Sequence, residues 1–147
     1  MELSVRHISA TDTHELRHRV LWPHLASPEV CVIDIDERED AFHVGVFADG
    51  VLISIGSFFA LHSPRLEQAS QYRLRAMATD PKFRRLHAGD RLISFALEEL
   101  RNRNIEVLWC DARLVAVPFY EHLGFQKSED TYEVPLIGPH HFMWKML

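Results

Sequence analysis

A chain of 147 residues, 47% hydrophobic and 25% charged, has the size and composition of one ordinary globular domain with a substantial core. Its formal net charge of -5 argues against a general nucleic-acid binder, which needs broad positive surface. No apolar run approaches the roughly 20 residues that span a bilayer. The N-terminal Met1-Glu2-Leu3-Ser4-Val5-Arg6 lacks the form of a signal peptide, and Cys31 and Cys110 are a poor disulfide framework. A reducing cytoplasm is therefore the expected setting, with no membrane partner.

Leu3–Ile8 reads as a first strand. Ser9 and Thr11 offer cap hydroxyls, and Asp12 and Glu15 favour a helix through about Leu21, which Trp22-Pro23 ends. A looser stretch, Ala26–Pro28, precedes the acidic run Asp34-Ile35-Asp36-Glu37-Arg38-Glu39-Asp40. Phe42–Ala48 and Val51–Leu61 are β-rich and flank Asp49-Gly50, a hairpin signal because a type I′ turn needs positive φ at both central positions. After a loop, His62–Ala69, the partial alternation of Gln71–Thr79 predicts a strand.

A helix is predicted over Asp90–Arg103, with Leu92, Ile93, Phe95, Ala96, Leu97 and Leu100 as a broad apolar face suited to a sheet. Val107–Cys110 reads as a short buried strand. Ala116–Leu123 reads as a short helix, with Pro118 in its first turn and Gly124 as its stop. Phe125–Val134 and His141–Met146 complete the strands. No repeat, linker or low-complexity tract interrupts this order, so residues 1–147 are expected to form a single α+β domain.

The chemistry concentrates between Tyr72 and Phe125. The turn Pro81-Lys82-Phe83-Arg84-Arg85-Leu86-His87-Ala88-Gly89 opens directly into the Asp90 helix. A helix start carries unpartnered N–H groups and partial positive charge, so it binds phosphate, and Lys82, Arg84, Arg85 and Arg91 add to that field. A cofactor with a pyrophosphate is the expected ligand.

This order of elements resembles the GNAT family of N-acetyltransferases over nearly the whole chain. The family's cofactor signature, Arg/Gln-x-x-Gly-x-Gly/Ala, falls on Arg84-Arg85-Leu86-His87-Ala88-Gly89. Its Ala-x-x-Phe-Tyr-x-x-x-Gly-Phe motif matches Ala116-Val117-Pro118-Phe119-Tyr120-Glu121-His122-Leu123-Gly124-Phe125, and Leu74–Pro81 resembles the strand before the cofactor loop. Leu16-Arg17-His18-Arg19-Val20-Leu21 and Gly138-Pro139-His140 resemble a small bacterial-type branch of the family. Two departures stand out: His87 replaces the first signature glycine, and Arg113 stands where many members carry Asn.

The resemblance implies a mixed, mostly antiparallel sheet of six or seven strands flanked by about four helices, with parallel strands that part at the cofactor site. It implies acetyl-CoA as cosubstrate, no metal, and direct acetyl transfer to an amine of a small molecule or protein. Main-chain donors at Met77, Ala78 and Thr79 would polarise the thioester carbonyl. Arg84, Arg85, Leu86, His87, Ala88 and Gly89 would hold the phosphates, with Arg113 and Phe119 beside the cofactor. Tyr120 would protonate the leaving thiolate. Asp111 and Glu37 compete as the carboxylate that receives the amine proton or attracts the amine, and His140 would wall the substrate pocket. A homodimer is compatible with such a fold. The rival expectation is a non-catalytic acyl-CoA-binding module, for which His87 in the cofactor loop is the best argument.

Overall fold

A computed structural model describes the whole chain, Met1–Leu147. One eight-stranded sheet organises it, in the order β1 (Leu3–Ile8), β2 (Phe42–Ala48), β3 (Val51–Phe59), β4 (Gln71–Thr79), β5 (Val107–Arg113), β8 (Gly138–Met146) and β6 (Gln126–Lys127), with β7 (Tyr132–Val134) also paired to β8. Every pairing is antiparallel except β4 with β5. The strand count exceeds the six or seven expected because Phe125–Val134 does not form one strand. Ser128 to Asp130 turn between β6 and β7, and the Ser128 hydroxyl donates to the Asp130 carbonyl at 3.1 Å.

Local chemistry accounts for most boundaries. Asp49 and Gly50 take φ of 48° and 84°, the pair of positive values that a tight β2–β3 hairpin requires. Ser9 and Asp12 exchange reciprocal side-chain-to-backbone bonds of 3.1 Å, which start the helical segment. That segment runs from Thr11–Thr13 through α1 (His14–Leu16) into a wide π turn, Arg17–Leu21, closed by the Trp22 N–H donating to the Arg17 carbonyl at 2.9 Å. The long helix α2 begins at Ala88, two residues before the expected start, and ends at Asn102. The short α3 spans Val117–His122 with Pro118 in its first turn.

The main core lies between α2 and one sheet face, where Leu92, Ile93, Ala96 and Leu100 meet Phe42, Val44, Phe58 and Leu74. Leu16, Ile55 and Ala78 form a smaller cluster on the opposite face. Beside that cluster lies a wholly buried cation. The Arg17 guanidinium grips Asp36 through two bonds of 2.7 and 2.8 Å, and also donates to the Cys31 carbonyl and the Ser57 hydroxyl at 2.9 Å. The Ile33 N–H reaches Asp36 at 2.8 Å, and His43 Nδ1 lies 2.7 Å from Ser57 Oγ. The network fastens residues 31 to 36 and the π turn to the sheet. No helix is long and apolar enough to cross a membrane.

Burial alone would raise the Asp36 carboxyl, but the Arg17 hydrogen bonds, the Ile33 N–H and the Arg17 charge outweigh it and hold its pKa below the ordinary value. A depressed carboxyl contributes stability that is complete above its unfolded pKa of about 4 and is lost as pH falls toward the folded value. Urea titrations should therefore show the midpoint falling below about pH 4 more steeply in the unaltered protein than in Asp36→Asn. At neutral pH the same variant leaves Arg17 buried without its counter-charge and should lose about 3–5 kcal/mol of stability.

Candidate active site

The opening at the centre of the sheet is set by β4. Its first residues, Gln71, Tyr72 and Arg73, pair with Val107, Leu108 and Trp109 of β5, and the pairing stops there. Against β3 the register slips: Ser57 faces Arg75 and Ile55 faces Ala78, so Ala76 and Met77 together oppose Gly56. Ala76 absorbs the slip at φ 54°. Such a bulge bends its strand and increases its twist, and β4 swings away while β5 continues against β8 to Arg113.

The gap is a cavity of about 770 Å³. Its β4 wall runs from Arg73 to Thr79 and its β5 wall from Cys110 to Arg113. The Asp80 N–H donates to the Ile53 carbonyl of β3 at 2.7 Å. Alternation along the regular end of the strand then turns the N–H group of Thr79 toward the opening, and Met77 lines it from the bulge. Ala78 faces β3, and its carbonyl accepts the Ser54 hydroxyl at 3.2 Å.

One end of the cavity is the start of α2. Asp80 caps the preceding turn by accepting the Lys82 N–H at 2.9 Å, and its carboxylate meets Arg19 at 3.0 Å. The Lys82 N–H is the largest influence holding the Asp80 pKa down. His87 sits in the left-handed region, φ 57° and ψ 33°, immediately before α2. Histidine tolerates that region better than branched residues do, and the ring is largely exposed near Asp90. Arg84, His87 and Gly89 line the cavity. Arg85 and Leu86 belong to the same turn but lie outside the lining, and Ala88 is buried in the core. Arg91 reaches the Leu3 carbonyl of β1 at 3.4 Å rather than the loop. Gly89 is required by packing: a Cβ there would lie 2.9 Å from the Phe119 ring and 3.3 Å from the Met77 methyl.

The floor between the strands belongs to α3 and β5. Tyr120 is buried, with Phe119 and Phe125 rings centred 5.1 and 5.2 Å from its own, yet it lines the cavity. Burial, with Cys110 as neighbour, raises its pKa well above the ordinary phenol value, so the hydroxyl stays protonated. The same burial pushes the Cys110 thiol far above its usual range. This region penalises a thiolate.

At the other end, Asp111 is already engaged. It accepts from Arg73 at 2.7 Å and forms a short hydrogen bond with the Tyr132 hydroxyl. Burial and the Asp111 hydrogen bond raise the Tyr132 pKa strongly. His140 is buried against Tyr132, with ring centroids 6.2 Å apart, and its Nδ1 lies 2.8 Å from the Gly138 carbonyl. Arg113 lines the cavity beyond Asp111. Glu37 is not part of this arrangement: it is exposed on the 34–37 turn, away from the cavity lining, because Asp36 takes the inward position against Arg17. No group of three or more His, Cys, Asp or Glu side chains is placed to hold a metal ion.

The sequence places Trp22–Asp40 and the C-terminal strands on the substrate side, and Trp22 and Tyr132 do line the cavity; Arg73, Arg75 and Ile137 were not singled out. Arg73 and Arg75 alternate with apolar residues on a strand, a signal that could have marked them. Ile137 carries none, since a loop from a distant part of the chain brings it to the cavity.

A family model described as Acetyltransferase (GNAT) family matches residues 7–125. The uncharacterized N-acetyltransferase YitI of Bacillus subtilis (strain 168) is 43% identical over 145 residues, 99% of this chain and 97% of that protein. The ribosomal protein bS18-alanine N-acetyltransferase of Salmonella typhimurium is 32% identical over 73 residues, 48% of this chain and 47% of that one. Among solved structures, Escherichia coli ElaA superimposes with a TM-score of 0.73 at 19% identity, covering 98% of both chains. An aminoglycoside 6'-N-acetyltransferase complexed with coenzyme A gives 0.74 at 13%, covering 97% of this chain and 96% of that one. At such identities these structures speak for the fold alone.

The contact between Gly89 and Phe119 is directly testable. Gly89→Ala should displace the Phe119 ring and cost about 1–3 kcal/mol in thermal or urea unfolding. An unchanged unfolding midpoint would mean that the ring yields freely and does not fix the start of α2.

Proposed function

We propose that this chain, which belongs to the GNAT acetyltransferase family, moves an acetyl group from acetyl-CoA directly onto an amine of a small molecule or protein. The observation that carries the reading is a single cavity with phosphate-binding chemistry at one end and a protonated, buried tyrosine on its floor. The residues suit the cosubstrate. An unpaired strand edge offers donors and acceptors to an amide-rich arm, and the α2 start offers N–H groups and Arg84 to phosphates.

In this reading the Met77 and Thr79 N–H groups face the thioester carbonyl and stabilise negative charge that develops on its oxygen. The neutral amine attacks the carbonyl carbon, a C–N bond forms, and the C–S bond breaks. Tyr120 delivers its proton to the departing sulfur. A phenol with a raised pKa is a weak acid in water, but a thiolate leaving into the surroundings that disfavour ionised Cys110 is itself a strong base. Asp111 is the carboxylate on the acceptor side of the lining; it attracts the ammonium form and takes the proton that the amine must lose. Cys110 has no part as a nucleophile, since its buried thiol resists ionisation. Two free buried thiols and reliance on acetyl-CoA fit a cytoplasmic enzyme.

Isothermal titration with acetyl-CoA is the direct test. The unaltered protein should bind in the micromolar range, and Arg84→Ala should weaken binding several-fold, more so at low salt. Tyr120→Phe should retain binding but lower kcat by about 10²–10⁴-fold against a responsive amine, read as thiol release. Absence of binding at millimolar acetyl-CoA would remove the proposal.

A further inference from the structure

Four arginines stand near the acceptor end: two are neutralised, and two, Arg75 and Arg113, have no hydrogen-bond or ion-pair partner in the protein, Arg75 alone lining a second cavity as well as the first. Arg17 is locked to Asp36, and Arg73 to Asp111. Arg75 is different. It is half-buried on β4, and no hydrogen bond or ion pair to protein holds its guanidinium. Burial and the like charges of Arg73 and Arg17 push its pKa below the ordinary arginine value, against the weaker pull of Asp36 and Asp111. A desolvated cation among other cations is an unfavourable arrangement unless an anion completes it.

Its position shows where that anion would come from. A second cavity, of about 440 Å³, adjoins the first and shares Trp22, Arg75 and Ile137 with it. It lies between the 30–35 segment and the Pro135–Ile137 turn, and neither Arg84 nor His87 lines it. Asp34 and His24 are its other titratable side chains, apart from the buried Cys31 thiol, and neither is paired with Arg75. Arg84 and His87 line the first cavity alone, whereas Arg75 lines both, which assigns it to the acceptor side.

We propose that the acceptor is a small amine that also carries an oxyanion group, a carboxylate or a phosphate, and that Arg75 binds this group at the junction of the two cavities. The inference rests on the acetyltransfer reading given above and names its substrate class. The planar guanidinium takes two oxygens of the anion, Trp22 and Ile137 flank the intervening carbon atoms, and the amine points toward Asp111 across the gap. Opposite charges at the two ends fix the acceptor's direction. A peptide N-terminus lacks the free α-carboxylate that an amino acid carries beside its amine.

The experiment uses matched pairs of amines in the presence of acetyl-CoA: amino acids with their carboxamides, and aminoalkyl phosphates with the corresponding amino alcohols. The anionic member of at least one pair should be preferred by about 30-fold or more in kcat/KM, and the pair that responds tells carboxylate from phosphate. In Arg75→Gln that preference should collapse toward one, mainly through KM, and Arg75→Lys should restore part of it. N-acetylated amino acids and N-acetylated aminoalkyl phosphates, as products that need no turnover, should raise the unfolding temperature of the unaltered protein but not of Arg75→Gln. Equal use of charged and neutral members, or an unaltered preference in Arg75→Gln, would overturn the proposal. So would stabilisation by none of the products. Acetyl-CoA titration of the unaltered protein tests the cosubstrate reading separately, so a failed cosubstrate and a failed acceptor class give different results.

Discussion

Where β4 leaves β5, a parallel pair that would ordinarily continue is forced apart, and the rest of the molecule is arranged around the gap. Ala76 and Met77 occupy the place of one residue opposite Gly56, and Ala76 holds a positive φ that only a strong surrounding framework maintains. That framework is the β3–β4 ladder on one side and the α2 core beneath. Unpaired main-chain groups would be a liability inside a sheet. Here they line a cavity, where a ligand backbone of amides can satisfy them.

The buried Arg17 network serves the same opening from the opposite face. It binds the π turn, residues 31 to 36 and Ser57 of β3 together, and so fixes Trp22 and the walls of the second cavity relative to β4. A buried ion pair contributes little net stability compared with apolar packing, but it strongly penalises every arrangement that separates its members. The loops on the acceptor side are thereby given one position. They enclose a cationic group of β4, Arg75, that the network itself does not neutralise.

The end proposed to hold phosphates uses a different principle. A helix start supplies direction and charge without any special side chain. That is why His87 can stand where a glycine is usual: its φ of 57° is accessible to histidine, and its ring is largely exposed to solvent. Gly89 is the tighter position, because a side chain there would have to displace the Phe119 ring. The burial that keeps Tyr120 protonated comes from the same aromatic group, with Phe119 and Phe125 excluding water around it.

The fold class, the Asp49-Gly50 hairpin and the α2 face were legible in the residues, because each depends on neighbours a few positions apart, whereas the association of the Arg84–Gly89 turn with Phe119-Tyr120 was expected by resemblance. Periodicity, turn chemistry and helix starts are local, so a linear chain displays them. The divergence of β4 from β5 was expected only by resemblance, and its cause, the register slip at Gly56, lies in pairing that no local pattern records. Asp36 rather than Glu37 faces inward for the same reason: both sit in one acidic run, and only Arg17, brought from the first helical segment, distinguishes them. The division of Asp111 between Arg73 and Tyr132, and the isolation of Arg75, follow from which strands lie side by side. The sequence by itself determined which elements form and which side chains are available to a reaction. Tertiary structure alone decided which charges are cancelled and which are left to meet a ligand, because a charge pair depends on distance in space and long-range pairing sets that distance.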